Sequence, residues 1–263
     1  VSLALGKGTE YRPVLKDVNF TIKAGERVGI VGPSGAGKSQ LINLVLRGAD
    51  PKEGAIYISG TDLRQLRLES YLRYCGIIPQ KSDLFEDTVK GNLVFGVSHE
   101  DWQEFLTDPH VEKRIWGALK KAGLDFGDRL SDGLTTKVGY KGMRLSGGQQ
   151  ARMRIADAHF KLGCHLKDRP RLIIADEPTA SLDSLSEIAV LEHLTETLPQ
   201  GTTVLMIAHR LSTVSDMDRI MFVRPLEKVK EGEEQITLHD SLKELYDSDP
   251  LFREMAVAQN FAP

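Results

Sequence analysis

The sequence predicts an α/β fold: a core of parallel strands joined by crossover helices, an antiparallel strand subdomain near the N-terminus, and a helical lobe inserted into the core. Three observations carry that reading. Strand-sized apolar runs alternate with a helical stretch between Leu172 and Val223, as parallel strands with crossover helices do. A glycine-rich turn separates the apolar strand 27–31 from an amphipathic helix. From about Asp87 to Gly163 the periodicity turns helical, which sets that stretch apart from the mixed core.

Taken in order, residues 14–31 show short apolar runs broken by turn residues: Val14-Leu15, Val18-Asn19-Phe20, then Ala24-Gly25-Glu26. Hairpin-like strands are expected there, leading into the strand 27–31. A helix is expected over 38–47, with Leu41, Leu44 and Val45 on one face. Residues 55–58 alternate as a strand does, and 76–78 form a second short candidate. In the lobe, Trp102, Phe105 and Leu106 share one face, as do Val111, Ile115, Leu119 and Ala122 in the next segment. A helix over 150–162 closes it. Strand 172–175, helix 185–198 and strands 203–207 and 219–223 follow, then terminal helices over 240–246 and 250–258. The expected division is a core of 1–86 with 164–263 and a helical subdomain of about 87–163.

The bulk properties exclude several classes. A chain of 263 residues, 41% hydrophobic and 27% charged, can bury an ordinary globular core. A net charge of −3 lacks the basic excess that nucleic-acid binding usually needs, so no nucleic-acid partner is expected. Cys75 and Cys164 stand far apart without metal-ligand spacing, which fits a reducing, cytosol-facing compartment. No stretch approaches the roughly 20 apolar residues that span a bilayer, and no signal peptide opens the chain. Its first residue is Val1 rather than Met, so a piece of a longer protein is expected, with any membrane-spanning part outside it.

The run Gly32-Pro33-Ser34-Gly35-Ala36-Gly37-Lys38-Ser39 matches the phosphate-binding loop in full, with a strand before it and a helix after it. Glycines let successive backbone N–H groups turn toward phosphates, and the helix N-terminus adds a favourable dipole. Lys38 pairs with the β- and γ-phosphates in this reading, and the Ser39 hydroxyl binds Mg²⁺. The core is then a P-loop NTPase core, with ATP and Mg²⁺ as its ligands. Leu172-Ile173-Ile174-Ala175-Asp176-Glu177 is an apolar strand ending in two acids, at the sheet edge where open α/β folds bind ligands. Asp176 is assigned to Mg²⁺ and Glu177 to polarising the attacking water as general base.

Leu145-Ser146-Gly147-Gly148-Gln149 precedes a helix and could be an ordinary N-cap. It is also identical to the signature motif of ATP-binding-cassette proteins, and from about Val14 to Ala258 the chain resembles that family. The resemblance implies that Ser146, Gly147, Gly148 and Gln149 meet the ATP held by an opposite subunit, through a helix-N-terminus anion site. It implies that Gln80, in Ile77-Ile78-Pro79-Gln80, senses Mg²⁺ and couples to a transmembrane part. Ser181-Leu182-Asp183 matches the loop that communicates across the dimer, which adds Asp183 to the nucleotide-contacting set. His209 matches the switch histidine at the γ-phosphate. The stretch Leu84-Phe85-Glu86-Asp87-Thr88-Val89-Lys90-Gly91-Asn92-Leu93 and the ending Arg210-Leu211-Ser212-Thr213 are similar to exporter-type cassettes.

The implied machine is an exporter ATPase on the cytosolic face of a membrane. Its partners are a transmembrane domain and a second nucleotide-binding domain, two Mg·ATP being sandwiched head to tail. Four features depart from the pattern. Gln40 stands where most relatives carry Thr or Ser near the α-phosphate. Tyr140 replaces the usual glutamate of Thr136-Lys137-Val138-Gly139-Tyr140-Lys141-Gly142, Asp157 stands where many relatives carry Arg, and 161–169 is longer than usual. The adenine-stacking residue is open between Tyr11, whose flat ring suits stacking, and a family alignment that places Leu5 there. The rival reading is a soluble cassette ATPase of DNA repair or translation. Against it, Gln80 and Leu145 are only 65 residues apart, with no coiled-coil insertion between them. A third reading, a domain that holds ATP without hydrolysing it, meets the objection that Glu177 and His209 are both present.

Overall fold

The computed structural model describes residues 3–5, 12–80, 83–95, 97, 109–124, 132–164, 171–178, 187, 194 and 198–261. Its strands in chain order are β1 (Leu3–Leu5), β2 (Arg12–Leu15), β3 (Arg27–Val31), β4 (Tyr57–Ile58), β5 (Thr61–Asp62) and β6 (Cys75–Ile78), then β7 (Arg171–Asp176), β8 (Thr202–Ile207), β9 (Arg219–Val223) and β10 (Ile236–His239). The helices are α1 (Lys38–Val45), α2 (Leu68–Leu72), α3 (Val89–Val94), α4 (Val111–Lys121), α5 (Gly147–Cys164), α6 (Leu242–Ser248) and α7 (Pro250–Ala258). They fall into two compact units, Val1–Leu72 with Thr203–Pro263, and Arg73–Thr202.

In the first unit β3 lies between β8 and β9 and runs parallel to both, while β10 pairs antiparallel with β9. Strands covered on both faces read as continuous apolar runs. Val28, Ile30 and Val31 of β3 and Ile220, Met221, Phe222 and Val223 of β9 are accordingly buried. Gly29 interrupts β3 because a Cβ there would lie 2.6 Å from Val214 Cβ. Helix α1 buries Leu41, Ile42, Leu44 and Val45, the expected face plus one neighbour. Helix α7 seats Phe252 edge-on against Phe222, ring centroids 5.6 Å apart. Its N-cap, Asp249, accepts from the Phe252 N–H at 2.8 Å and is ion-paired with Arg224.

The antiparallel pairs β1–β2 and β4–β5 belong to the same unit. Here the expectation is corrected: β2 pairs back with β1, and no strand forms over 16–26. The groups that a forward ladder would use are taken by one side chain. Buried Gln235 accepts from the Lys16 N–H at 2.9 Å and donates to the Val14 carbonyl at 2.8 Å. Asp17, with φ 52, then turns the chain away.

The second unit pairs β6 and β7 in parallel, with Cys75 beside Leu172 and Ile78 beside Ala175. Helix α5 lies on this pair closely enough that a Cβ on Gly76 would meet Ala158 at 3.2 Å. Its buried face carries Met153, Ile155, Ala156 and Phe160, and α4 adds Ile115 and Leu119. Buried Asn92 ties α3 to the preceding loop, exchanging bonds with both backbone groups of Phe85. Helix α5 begins three residues before the expected start, because Ser146 caps it and both glycines enter its first turn. Strand β10 was not expected from sequence. The expected helices over 102–106 and 185–198 lie largely outside the described residues. Among those described, no helix is long and apolar enough to cross a membrane.

Candidate functional site

In the first unit the buried strand β3 delivers the chain into the turn 32–37, from which α1 starts. Gly32 has φ 152, and a Cβ there would fall 2.2 Å from the Val223 carbonyl oxygen. Gly37 caps α1 with φ 103, where a Cβ would come within 3.1 Å of Leu15. Only glycine permits this close, left-handed path. Ala36 is buried beneath the turn, while Ser34, Gly35 and Ser39 are exposed. The Lys38 ammonium donates to the carbonyls of Gly32 at 2.7 Å and Pro33 at 3.0 Å, which holds it over the turn. Gln40 lies half-buried in the first turn of α1.

His209 leaves the end of β8 in the same unit and is exposed. Before it, the Ala208 N–H donates to the Ile30 carbonyl of β3 at 3.2 Å. After it, Leu211 is buried in a short 3-10 turn. The His209 carbonyl accepts from Gln259 Nε2 at 3.0 Å, and the Leu211 N–H donates to Gln259 Oε1 at 3.2 Å. No sequence signal pointed to Gln259, which stands 50 positions downstream in no recognisable motif.

In the second unit Ile173, Ile174 and Ala175 are buried in β7, and the half-buried Asp176 and Glu177 end it. Glu177 adopts φ 45, a left-handed conformation that costs a non-glycine residue roughly 1–2 kcal/mol. Gln80 extends beyond β6, and its Nε2 donates to Glu177 Oε2 at 2.5 Å. The two residues assigned separately from sequence thus form one polar pair. Ser146 caps α5 in a reciprocal box: its Oγ accepts from the Gln149 N–H at 3.3 Å, and Gln149 Oε1 accepts from the Ser146 N–H at 2.8 Å. The ordinary-cap reading of this motif is therefore real, and it leaves the Gly147 and Gly148 amides in the first helical turn, where N–H groups lack intrahelical acceptors. Asp183 lies outside the described residues, as does Tyr11.

A groove of about 280 Å³ opens beside this pair of strands, lined by Ile77, Pro79, Leu84, Phe85, Phe95 and Asp157 among others. Phe85 and Phe95 are exposed, with ring centroids 3.9 Å apart. Burial pushes the Asp157 carboxyl up to about 6, although Lys161 pairs with it at 2.8 Å and pulls the other way. On the same helix, burial pushes His159 down to about 4, helped by the charge of Lys121.

The donor set suits a hard cation held with phosphates. Among the described residues no three His, Cys, Asp or Glu side chains cluster as a cage. Mg²⁺ is commonly held by one or two protein oxygens plus substrate phosphates, and the Ser39 hydroxyl and the Asp176 carboxylate are each oxygen donors of that kind.

Residues 15–180 match the protein family described as ABC transporter. The chain is 42% identical over 227 residues to the ATP-dependent lipid A-core flippase of Syntrophus aciditrophicus strain SB, covering 86% of this chain and 35% of that protein. It is 37% identical over 231 residues to the mitochondrial iron-sulfur clusters transporter atm1 of Neurospora crassa, covering 84% and 29%. Among solved structures it resembles a bacterial Atm1-family ABC exporter with ATP bound, at TM-score 0.78 and 33% identity, over 98% of this chain and 41% of that one. The chain spans about a third of the length of the curated relatives it matches.

Proposed function

The chain belongs to the ABC transporter family, and on that premise we propose that it is the ATP-binding and ATP-hydrolysing domain of an exporter. The observation that carries this reading is the Gln80–Glu177 pair at the ends of β6 and β7. A carboxylate fixed by one donor in a left-handed backbone is oriented for general-base work on a water. The reaction is attack of that water on the γ-phosphorus of ATP: the new P–O bond forms as the bond to the β,γ-bridging oxygen breaks, ADP leaves with that electron pair, and Glu177 receives the water's proton. Lys38 and the backbone N–H groups of Ser34–Ser39 neutralise the developing charge on the phosphate oxygens, and His209 adds a donor at the γ-phosphate. Ser39, Asp176 and Gln80 would hold Mg²⁺, which supplies further charge neutralisation when bound.

The second half of each site is supplied by another nucleotide-binding domain, so that Ser146, Gly147, Gly148 and Gln149 of one chain face the ATP of the other. Asp183 borders the same interface. Closure of that pair transmits force to a transmembrane domain, in the same polypeptide or a separate one, which places this domain at the cytosolic face of a membrane. The groove lined by Pro79 supports this reading, since its two exposed phenylalanines offer an apolar seat on the residue that precedes Gln80 in the chain. We propose the core as 1–86 with 164–263 and the helical subdomain as about 87–163.

Complementation tests the composite site. Lys38→Ala and Ser146→Arg chains should each hydrolyse ATP poorly, whereas an equimolar mixture should recover activity, because a mixed dimer holds one intact site. No recovery on mixing, with both variants folded, would refute the head-to-tail arrangement.

A further inference from the structure

We infer that Gln259, at the end of helix α7, is a positioning residue that holds His209 in place for ATP hydrolysis. The inference rests on the hydrolytic role proposed for His209. The histidine segment is pinned on one side by the Ala208 N–H on the Ile30 carbonyl and on the other by buried Leu211. The Arg210 carbonyl accepts from the Thr213 N–H at 3.2 Å, but none of these contacts reaches the carbonyl of the exposed His209. Gln259 closes that side with both ends of its amide, donating to the His209 carbonyl and accepting from the Leu211 N–H. Two bonds from one planar group to residues two apart set the bend of the segment as well as its position.

The amide can do this because its own backbone is fixed. Helix α7 ends in a Schellman turn: Asn260 is left-handed at φ 53, the Phe261 N–H donates to the Ala256 carbonyl at 2.9 Å, and the Asn260 N–H donates to the Val257 carbonyl at 3.0 Å. Gln259 is the cap residue of that turn. Upstream, the helix is seated on β9 through Phe252 and Phe222, and β9 supplies the Val223 carbonyl that abuts Gly32. One end of α7 is therefore tied to the strand behind the phosphate-binding turn, and the other to the histidine. All of these groups belong to the first unit. Loosening α7 is expected to slow hydrolysis without touching the nucleotide.

The test measures kcat, KM for ATP and the His209 imidazole resonance in Gln259→Ala and Gln259→Glu chains. A glutamate still accepts from Leu211 but cannot donate to His209. Both variants should lose kcat by about fivefold, the worth of one or two neutral hydrogen bonds, with KM unchanged. The His209 resonance should shift or broaden in both, and Gln259→Ala should add nothing in a His209→Ala background. An unshifted resonance, or an equal loss of rate in the His209→Ala background, overturns the inference. If His209→Ala alone leaves kcat unchanged, the hydrolytic role of the histidine fails, and the inference fails with it. That result differs from a slow His209→Ala chain beside an unaffected Gln259→Ala chain, which overturns the positioning role alone.

Discussion

Gln80 and Glu177 meet because the parallel register of β6 and β7 sets Ile78 beside Ala175, and each of the pair lies two residues further along its own strand. The bond is thus a consequence of strand pairing, and it fixes the carboxylate that the proposed mechanism uses. Replacing Gln80 by Ala should leave the fold intact, since the residue is exposed, yet lower kcat by about tenfold, the worth of one hydrogen bond to a charged group. Steady-state hydrolysis at saturating ATP checks this; a loss confined to KM would argue for nucleotide binding instead.

The glycine-rich turn 32–37 should discriminate sharply between its glycines. Gly32→Ala places a Cβ against the Val223 carbonyl, a backbone atom that cannot move aside cheaply, and should destabilise the chain by about 2–4 kcal/mol. Gly35→Ala meets no atom within 4 Å and carries only the left-handed cost at φ 80, about 1 kcal/mol. Urea unfolding of the two variants should rank them in that order.

The box at the start of α5 predicts a structural effect separable from any effect on ATP. Ser146→Ala removes the acceptor for the Gln149 N–H and should cost about 1 kcal/mol of stability. Ser146→Asp keeps a capping oxygen and should restore stability, while its charge opposes the γ-phosphate of a facing nucleotide. A variant with parental stability and impaired hydrolysis would separate the two roles of the motif.

Two buried groups on α5 give opposed pH dependences. Asp157 holds its proton more tightly folded than unfolded, so its contribution to stability falls as pH rises from about 4 to about 6. His159 binds its proton less readily when folded, so its contribution falls as pH drops from 6.5 toward about 4. The two slopes oppose each other over the same range. Asp157→Asn leaves the histidine alone and should make stability rise with pH more steeply than in the parent, by about 1–2 kcal/mol across the window. Melting temperatures at pH 4.5 and 6.5 read this, and a parallel response in variant and parent would contradict it.

What could be read from sequence was what short spacing encodes. The glycine-rich turn 32–37, the acids ending β7 and the Ser146–Gln149 cap depend on neighbours within a few residues, and their elements were found within two or three residues of their bounds. What could not be read depends on long-range partners. β10 is four residues after an acidic turn, and only its pairing with β9 makes it a strand. The backbone near Val14 is satisfied by Gln235, more than 200 residues away, so local alternation suggested a hairpin that does not form. Gln259 reaches His209 across 50 residues and has no motif of its own. Asp157, noted as a departure from the family pattern, shows its consequence only once α5 buries it beside Lys161.

The proposed mechanism depends above all on Glu177 acting as the general base. It is tested most directly by the hydrolysis rate of Glu177→Gln at saturating Mg·ATP, with ATP affinity measured alongside. The rate should fall by about 100-fold or more with affinity retained, because the amide keeps the shape and loses the basicity. A variant that hydrolyses ATP within twofold of the parent rate would contradict it.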